Sequence, residues 1–178
     1  KVTSDCQDDV TCTKRFTVTA APAVVLTCAV DETVAACQSQ DEVNAAFATW
    51  LGTASYTGGC GAELTNNNTG APDACGGFVD VTFKVTSDCQ DDVTCTKRFT
   101  VTADEVPPTC PDLDNDMLTC LEEIPCPSDV VDMVQAGATD NCPGPITAML
   151  MSDTGQPQCV DGAFSRTYTV KIIDACDN

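Results

Sequence analysis

The sequence contains no histidine, and it carries only 8 basic side chains against 27 acidic ones, with nine aromatic residues among 178. Without histidine there is no imidazole base, no Ser-His or Cys-His couple and no histidine-ligated zinc, so the commonest hydrolytic machineries are excluded and an enzyme is not expected. The scarcity of Lys and Arg, with a formal charge of −19, excludes nucleic acid and anionic membrane surfaces as partners, because both demand clustered cations. No apolar run approaches the ~20 residues of a membrane-spanning helix. Paired carboxylates such as Asp91-Asp92 fall in a polar turn, where nothing would shift either pKa toward acid-base work.

What is abundant is cysteine, with 14 residues. That density is near the level of disulfide scaffolds, and disulfides persist in oxidising, extracytoplasmic compartments. A secreted or cell-surface protein is expected. Metal ligation by cysteine is disfavoured, since no C-x-x-C occurs and the tightest recurring spacing is Cys6 to Cys12 and Cys89 to Cys95, wider than zinc pairs use.

Self-similarity organises the chain. The twenty residues KVTSDCQDDVTCTKRFTVTA at 1–20 recur unchanged at 84–103, a period of 83. Residues 1–20 then read as the C-terminal strands of a truncated repeat, and 21–103 as a complete module. Residues 104–178 read as a diverged module, truncated before its last strand. Its Cys110, Cys120, Cys142, Cys159 and Cys176 follow the order of Cys28, Cys37, Cys60, Cys75 and Cys89, and Thr-Asp-Asn-Cys142 matches Thr-Gly-Gly-Cys60. Pro22 and Pro107-Pro108 mark the junctions, where short proline linkers hold neighbours extended.

Within 21–103 the alternation of Val79, Val81, Phe83 and Val85, and of Val93, Cys95, Phe99 and Val101 after Gln90-Asp91-Asp92, predicts an antiparallel hairpin. Val24–Val30 and Ala54–Tyr56 are shorter strand candidates. One segment breaks the period of two. Ser39 and Glu42 form a capping box, Val43, Ala46, Phe47, Trp50 and Leu51 recur at helical spacing, and Gly52 stands at the C-cap. Ser128, Val130, Val131, Met133, Val134 and Gly137 repeat that design. The expected fold is mostly β: tandem, small, disulfide-stapled immunoglobulin-like sandwiches, each with one short helix. Trp50, Phe47, Phe83, Phe99 and Tyr168 are the expected core.

The ordered motifs LTC, AAC, DEVNAAFATWL, TGGC, TNNNTGAPDACGG, VTFKVTSDC and VTCTKRFTVTA resemble the tandem repeats of the very large SprB-type gliding and surface adhesins of Bacteroidetes. The TCP, ATDNC, SRTYTVKI and DACDN of the last module are similar to hyalin-type (HYR) immunoglobulin-like adhesion modules. The resemblance implies a type IX-secreted adhesin or filament at the bacterial cell surface, in which most modules serve as stalk. Its partners would be neighbouring modules and an extracellular surface or polysaccharide. It also implies a bridge from first strand to last, Cys28 with Cys95, beside which Cys37–Cys89 and Cys60–Cys75 are expected. Carried to the last module, the scheme gives Cys120–Cys176 and Cys142–Cys159. Cys6 and Cys12 would then find partners upstream of Lys1, and Cys110 one beyond Asn178 unless the extra Cys126 captures it.

The acidic excess grows along the chain. It is zero for 1–20, −7 for 21–103 and −12 for 104–178. A solvated, soluble surface accounts for much of it, while clustered carboxylates also suit Ca²⁺. Asp112, Asp114, Asp116 and Glu123 have EF-hand-like spacing, but Met117 occupies the position that requires glycine. Better calcium candidates are the junction at Asp104 and Glu105, or the Asp140-Asn141 and Asp174/Asp177 loops. The functional expectation is a structural and adhesive repeat region, a stalk or filament. The alternatives are a carbohydrate-binding or accessory region of a secreted enzyme, disfavoured because Trp50 is assigned to the core and only Tyr56, Tyr168 and six Phe remain to form a sugar platform, and a subunit of a self-associating fibre.

Overall fold

The structure, a computed structural model, describes residues 1–113, 118, 123–155, 158–160 and 163–178. Their regular structure is mostly strand, with two short helices, and three disulfides cross-link it.

Segment 21–103 is built on the hairpin of β7 (Gly77–Ser87) and β8 (Gln90–Val101), antiparallel along its whole length. The turn is tighter than the polar run Gln90-Asp91-Asp92 suggested. Gln90 stays in the strand, where its side chain accepts from the Val24 amide at 2.7 Å, and only Asp88-Cys89 reverse the chain. To this hairpin are added β6 (Glu63–Asn66), antiparallel to β7, and β4 (Glu32–Val34), parallel to β8. The resulting order is β4-β8-β7-β6. A second, two-stranded sheet pairs β3 (Val25–Thr27) with β5 (Ser55–Thr57).

Helix α1 (Gln40–Leu51) covers the four-stranded sheet. Its start is fixed by the reciprocal capping box of Ser39 and Glu42, and those hydrogen bonds, backbone first, hold the Glu42 carboxyl below its ordinary pKa. The buried stripe Val43, Phe47 and Trp50 meets Val81, Phe83, Phe99 and Val101 of the hairpin. Trp50 stands among Phe47, Phe83 and Phe99 at ring separations of 5.3–5.7 Å across the cluster, and its indole N–H donates to the Val30 carbonyl at 2.6 Å.

The identical text at 1–20 takes up less structure. It forms β1 (Val2–Ser4) and β2 (Gln7–Val10), after which the chain is irregular. Phe16 and Val18 are 82 % and 93 % exposed, whereas their counterparts Phe99 and Val101 are 0 % and 2 %. The same residues extend to a full strand only where a helix and a long partner strand bury one face.

In segment 104–178, α2 (Pro127–Gly137) packs on the antiparallel pair β9 (Thr147–Asp153) and β12 (Tyr168–Ile173), burying Val134 and Ala148. Between these strands, β10 (Gln158–Val160) pairs with β11 (Ala163–Ser165). The α2 N-cap is Cys126 with Pro127 in the first turn, not Ser128, because proline's fixed φ suits that turn and it has no amide to leave unpaired. Tyr168 is half-buried and outside the main core. Its hydroxyl donates to the Pro125 carbonyl at 2.6 Å, and a phenol so placed sits at the core margin.

Candidate metal centre at the junction of the segments

The disulfides locate the junction. Cys28 is bonded to Cys95 across the core of 21–103, with 6.5 Å between Cα atoms. The other expected pairings are replaced. Cys37 is bonded to Cys142 and Cys75 to Cys176, with Cα separations of 4.5 and 5.3 Å, so neither Cys142–Cys159 nor Cys120–Cys176 forms. Cys37–Cys89 and Cys60–Cys75 are excluded by the length of the hairpin. Cys75 precedes Gly77, which pairs with Val101, and Cys37 follows Val34, which also pairs with Val101. Cys60 and Cys89 lie at the opposite end, where the Asp88 amide donates to the Cys60 carbonyl at 3.0 Å. Eleven strand residues separate the two ends, roughly 35 Å at strand rise. Cys110 and Cys126 keep free thiols and are not joined to each other, and Cys12 is likewise a free thiol. Cys120 lies outside the described residues.

At the end that carries Cys37 and Cys75, three aspartates from separate stretches converge. Asp104 follows β8, Asp140 lies between α2 and β9, and Asp174 follows β12. Each closes a local turn by accepting backbone amides. Asp104 Oδ1 takes Val106 N–H at 3.2 Å, Asp140 Oδ2 takes Cys142 N–H at 3.0 Å, and Asp174 Oδ1 takes Cys176 N–H at 2.7 Å and Asn178 N–H at 3.0 Å. These bonds fix the carboxylates so that one oxygen from each lies within 4.8 Å of the others. Asp104 and Asp174 are only 8 % and 7 % exposed. The oxygens left over, Asp104 Oδ2 and Asp140 Oδ1, are buried and accept no hydrogen bond from the described residues.

Burial alone would raise the Asp174 pKa, but the hydrogen bonds from Asn178 and Cys176 outweigh it, and the carboxyl is held below its ordinary value. It is therefore an anion at neutral pH. Among the described ion pairs, formed by Lys84, Arg98 and Arg166 with Asp92, Asp80 and Asp153, none involves a carboxylate of the triad. Asn141 and Asn178 brace it instead, Asn141 Nδ2 donating to Asp104 Oδ1 at 3.2 Å and Asn178 Nδ2 to Asp174 Oδ2 at 3.1 Å.

The donor set is oxygen only. The Cys37 and Cys142 sulfurs beside Asp104 are bound to each other and offer no thiolate. Buried, convergent, unbalanced carboxylates suit a hard cation, and the spread of the three loops suits the 6–8 flexible oxygen ligands of Ca²⁺ better than the tight octahedron of Mg²⁺. The three carboxylates thus form an oxygen donor set that could hold a hard cation such as Ca²⁺.

Of the sequence-stated candidates, Asp104, Asp140 and Asp174 are brought together, while Glu105 and Asp177 are exposed and outside the group. Asp114 and Asp116 of the EF-hand-like run lie outside the described residues. Asn178 was missed, since a terminal asparagine carries no pattern of its own. No family model, curated protein or solved structure matches the chain.

Proposed function

We propose that the chain is a structural, load-bearing repeat region of an extracellular adhesin, in which small immunoglobulin-like units are locked end to end by paired disulfides and a calcium ion. The observation that carries this reading is the junction itself. Two disulfides and a buried acidic triad join consecutive stretches of sequence, an investment in holding neighbours in one orientation that a catalytic or freely jointed protein does not need. The paired cysteines support an oxidising compartment, and the repeat resemblance supports a bacterial cell surface, with a surface or polysaccharide as the remote partner.

The geometry also shortens the path along which force travels. From Lys1 the covalent route runs 28 residues to Cys28, crosses to Cys95, returns twenty residues to Cys75, crosses to Cys176 and ends two residues later. Fully stretched at ~3.5 Å per residue, that route reaches about 180 Å, against about 620 Å for the uncrosslinked chain. Single-molecule pulling from the two termini tests the proposal. The oxidised chain should stop extending near the shorter length and recover the longer one in dithiothreitol. An oxidised chain that extends as far as the reduced one carries no such clamp, and the load-bearing reading fails.

A further inference from the structure

Segment 21–103 has a cysteine pair at each end of its sheet. At the exit end, Cys37 and Cys75 are bonded to segment 104–178. At the entry end, Cys60 and Cys89 are both free thiols. They are neighbours: Ser87 Oγ lies 3.1 Å from the Cys60 amide and 3.4 Å from Cys89 Sγ.

These two cysteines correspond in order to Cys142 and Cys176, which receive Cys37 and Cys75. The local geometry corresponds as well. Cys89 N–H donates to a side-chain oxygen two residues earlier, Ser87 Oγ at 3.5 Å, as Cys176 N–H does to Asp174 Oδ1 at 2.7 Å. The loop before Cys60 is tied to the linker by Gly59 N–H on the Pro22 carbonyl at 2.8 Å, as the loop before Cys142 is tied by Asn141 on Asp104. In both segments the linker, the loop that carries the first of these cysteines (Cys60 or Cys142) and the turn that carries the second (Cys89 or Cys176) meet at one end.

We propose that Cys60 and Cys89 are the receiving half of a covalent clamp, and that their partner is the exit end of another unit of the same repeat placed before residue 21. Cys60 bonds the cysteine standing at its position 37, and Cys89 the one at its position 75. The unchanged recurrence of 1–20 at 84–103 identifies that partner as a unit of the same kind. The six cysteines of a unit are then all used: Cys28 and Cys95 internally, two forward and two backward. The inference rests on the repeat reading but not on calcium, because this junction lacks the triad. The identity of the two copies ends after Ala20 and Ala103, and the next residue is Ala21 in one and Asp104 in the other.

Each bond forms by thiol–disulfide exchange. Two thiols give up two protons and two electrons to a disulfide oxidant of the extracytoplasmic compartment, which leaves as two thiols. Hydrogen bonds from Cys60 and then Ser87 lower the Cys89 pKa, which makes Cys89 the better attacking thiolate.

Because 1–20 repeats 84–103, placing residues 21–83 in front of this chain restores a complete preceding unit. That extended chain is oxidised in a glutathione buffer, alkylated, digested without reduction and mapped by mass spectrometry. The expected result is two new linkages, of the Cys37–Cys60 and Cys75–Cys89 types, with the alkylated Cys60 and Cys89 peptides reduced and not abolished, because the added unit brings an identical receiving pair of its own. A Cys60–Cys89 linkage in place of these two, or both of them absent while Cys28–Cys95 is intact, overturns the proposal. A second variant has serine at the two donor cysteines of the added unit only. It should return both thiols to the alkylated pool, and an unchanged map there overturns the proposal equally.

Discussion

Replacing Trp50 tests how the core of 21–103 is held. The indole is 1 % exposed and contacts three phenyl rings, so Trp50→Ala removes a large buried surface and leaves a cavity walled by side chains from both the helix and the sheet. Such truncations cost about 3–5 kcal/mol. The hydrogen bond to Val30 adds little to this figure, because Val30 is 72 % exposed and its carbonyl can turn to water, so the net loss is ~1 kcal/mol. Trp50→Phe keeps a ring in the cluster and should cost about 1–2 kcal/mol, the hydrogen bond plus a smaller void. Urea unfolding of the oxidised chain, followed by far-ultraviolet circular dichroism because the only tryptophan is gone, reads both values from the midpoint shift at constant slope. A loss below ~1 kcal/mol for Trp50→Ala, or equal losses for the two variants, would refute the packing argument.

The remaining predictions concern the charges and bridges. Arg166, by its hydrogen bonds and with help from the Gly155 amide, holds the Asp153 pKa down to about 2 against an ordinary 3.8. A depressed carboxyl stabilises above its unfolded pKa and loses that contribution as pH falls through the folded one. Acid unfolding of the wild type should therefore include a contribution between about pH 4 and pH 2 that Asp153→Asn lacks; identical profiles would contradict it. The Asp80–Arg98 pair, with side chains 43 % and 48 % exposed, should by contrast leave the urea midpoint unchanged on Asp80→Asn. Serine at both Cys75 and Cys176 opens a bridge spanning 101 residues and should cost about 2–5 kcal/mol in thermal unfolding, whereas an unchanged curve would show that the clamp constrains nothing.

The local signals in the sequence carried far. The capping box, the helical stripe ending at Trp50 and the alternation of β7 and β8 each state their own structure, because hydrogen bonding and burial at those positions are decided within a few residues. The disulfide pairing is different in kind. Six cysteines in a repeat satisfy parity whether or not some of them reach a neighbouring segment, and only the placement of β4 parallel to β8, which carries Cys37 to the end that meets segment 104–178, brings it beside Cys142. Parallel pairing of a three-residue strand leaves no periodic mark. The calcium candidates were legible as two alternatives, the junction or the loops, since nothing in the chain says that Asp104 and the loops of Asp140 and Asp174 meet. They meet because Cys37–Cys142 and Cys75–Cys176 draw the second segment onto the end of the first. Phe16 and Phe99 make the complementary point: identical neighbours along the chain do not bury a ring that has nothing to pack against.

Calcium titration of the oxidised chain, with Asp104→Asn alongside, tests the junction most directly. Dissociation constants of extracellular calcium modules fall at ~10⁻⁴–10⁻³ M. At 2 mM Ca²⁺ and the tighter limit, linkage gives about 2 kcal/mol, a rise of roughly 4–8 °C in the unfolding temperature of a chain this size. The account predicts one ion per chain by isothermal titration calorimetry, a folded protein in EDTA because the disulfides remain, and loss of both the heat and the thermal shift in Asp104→Asn. Equal binding by wild type and variant, or no heat and no shift in either, would contradict it.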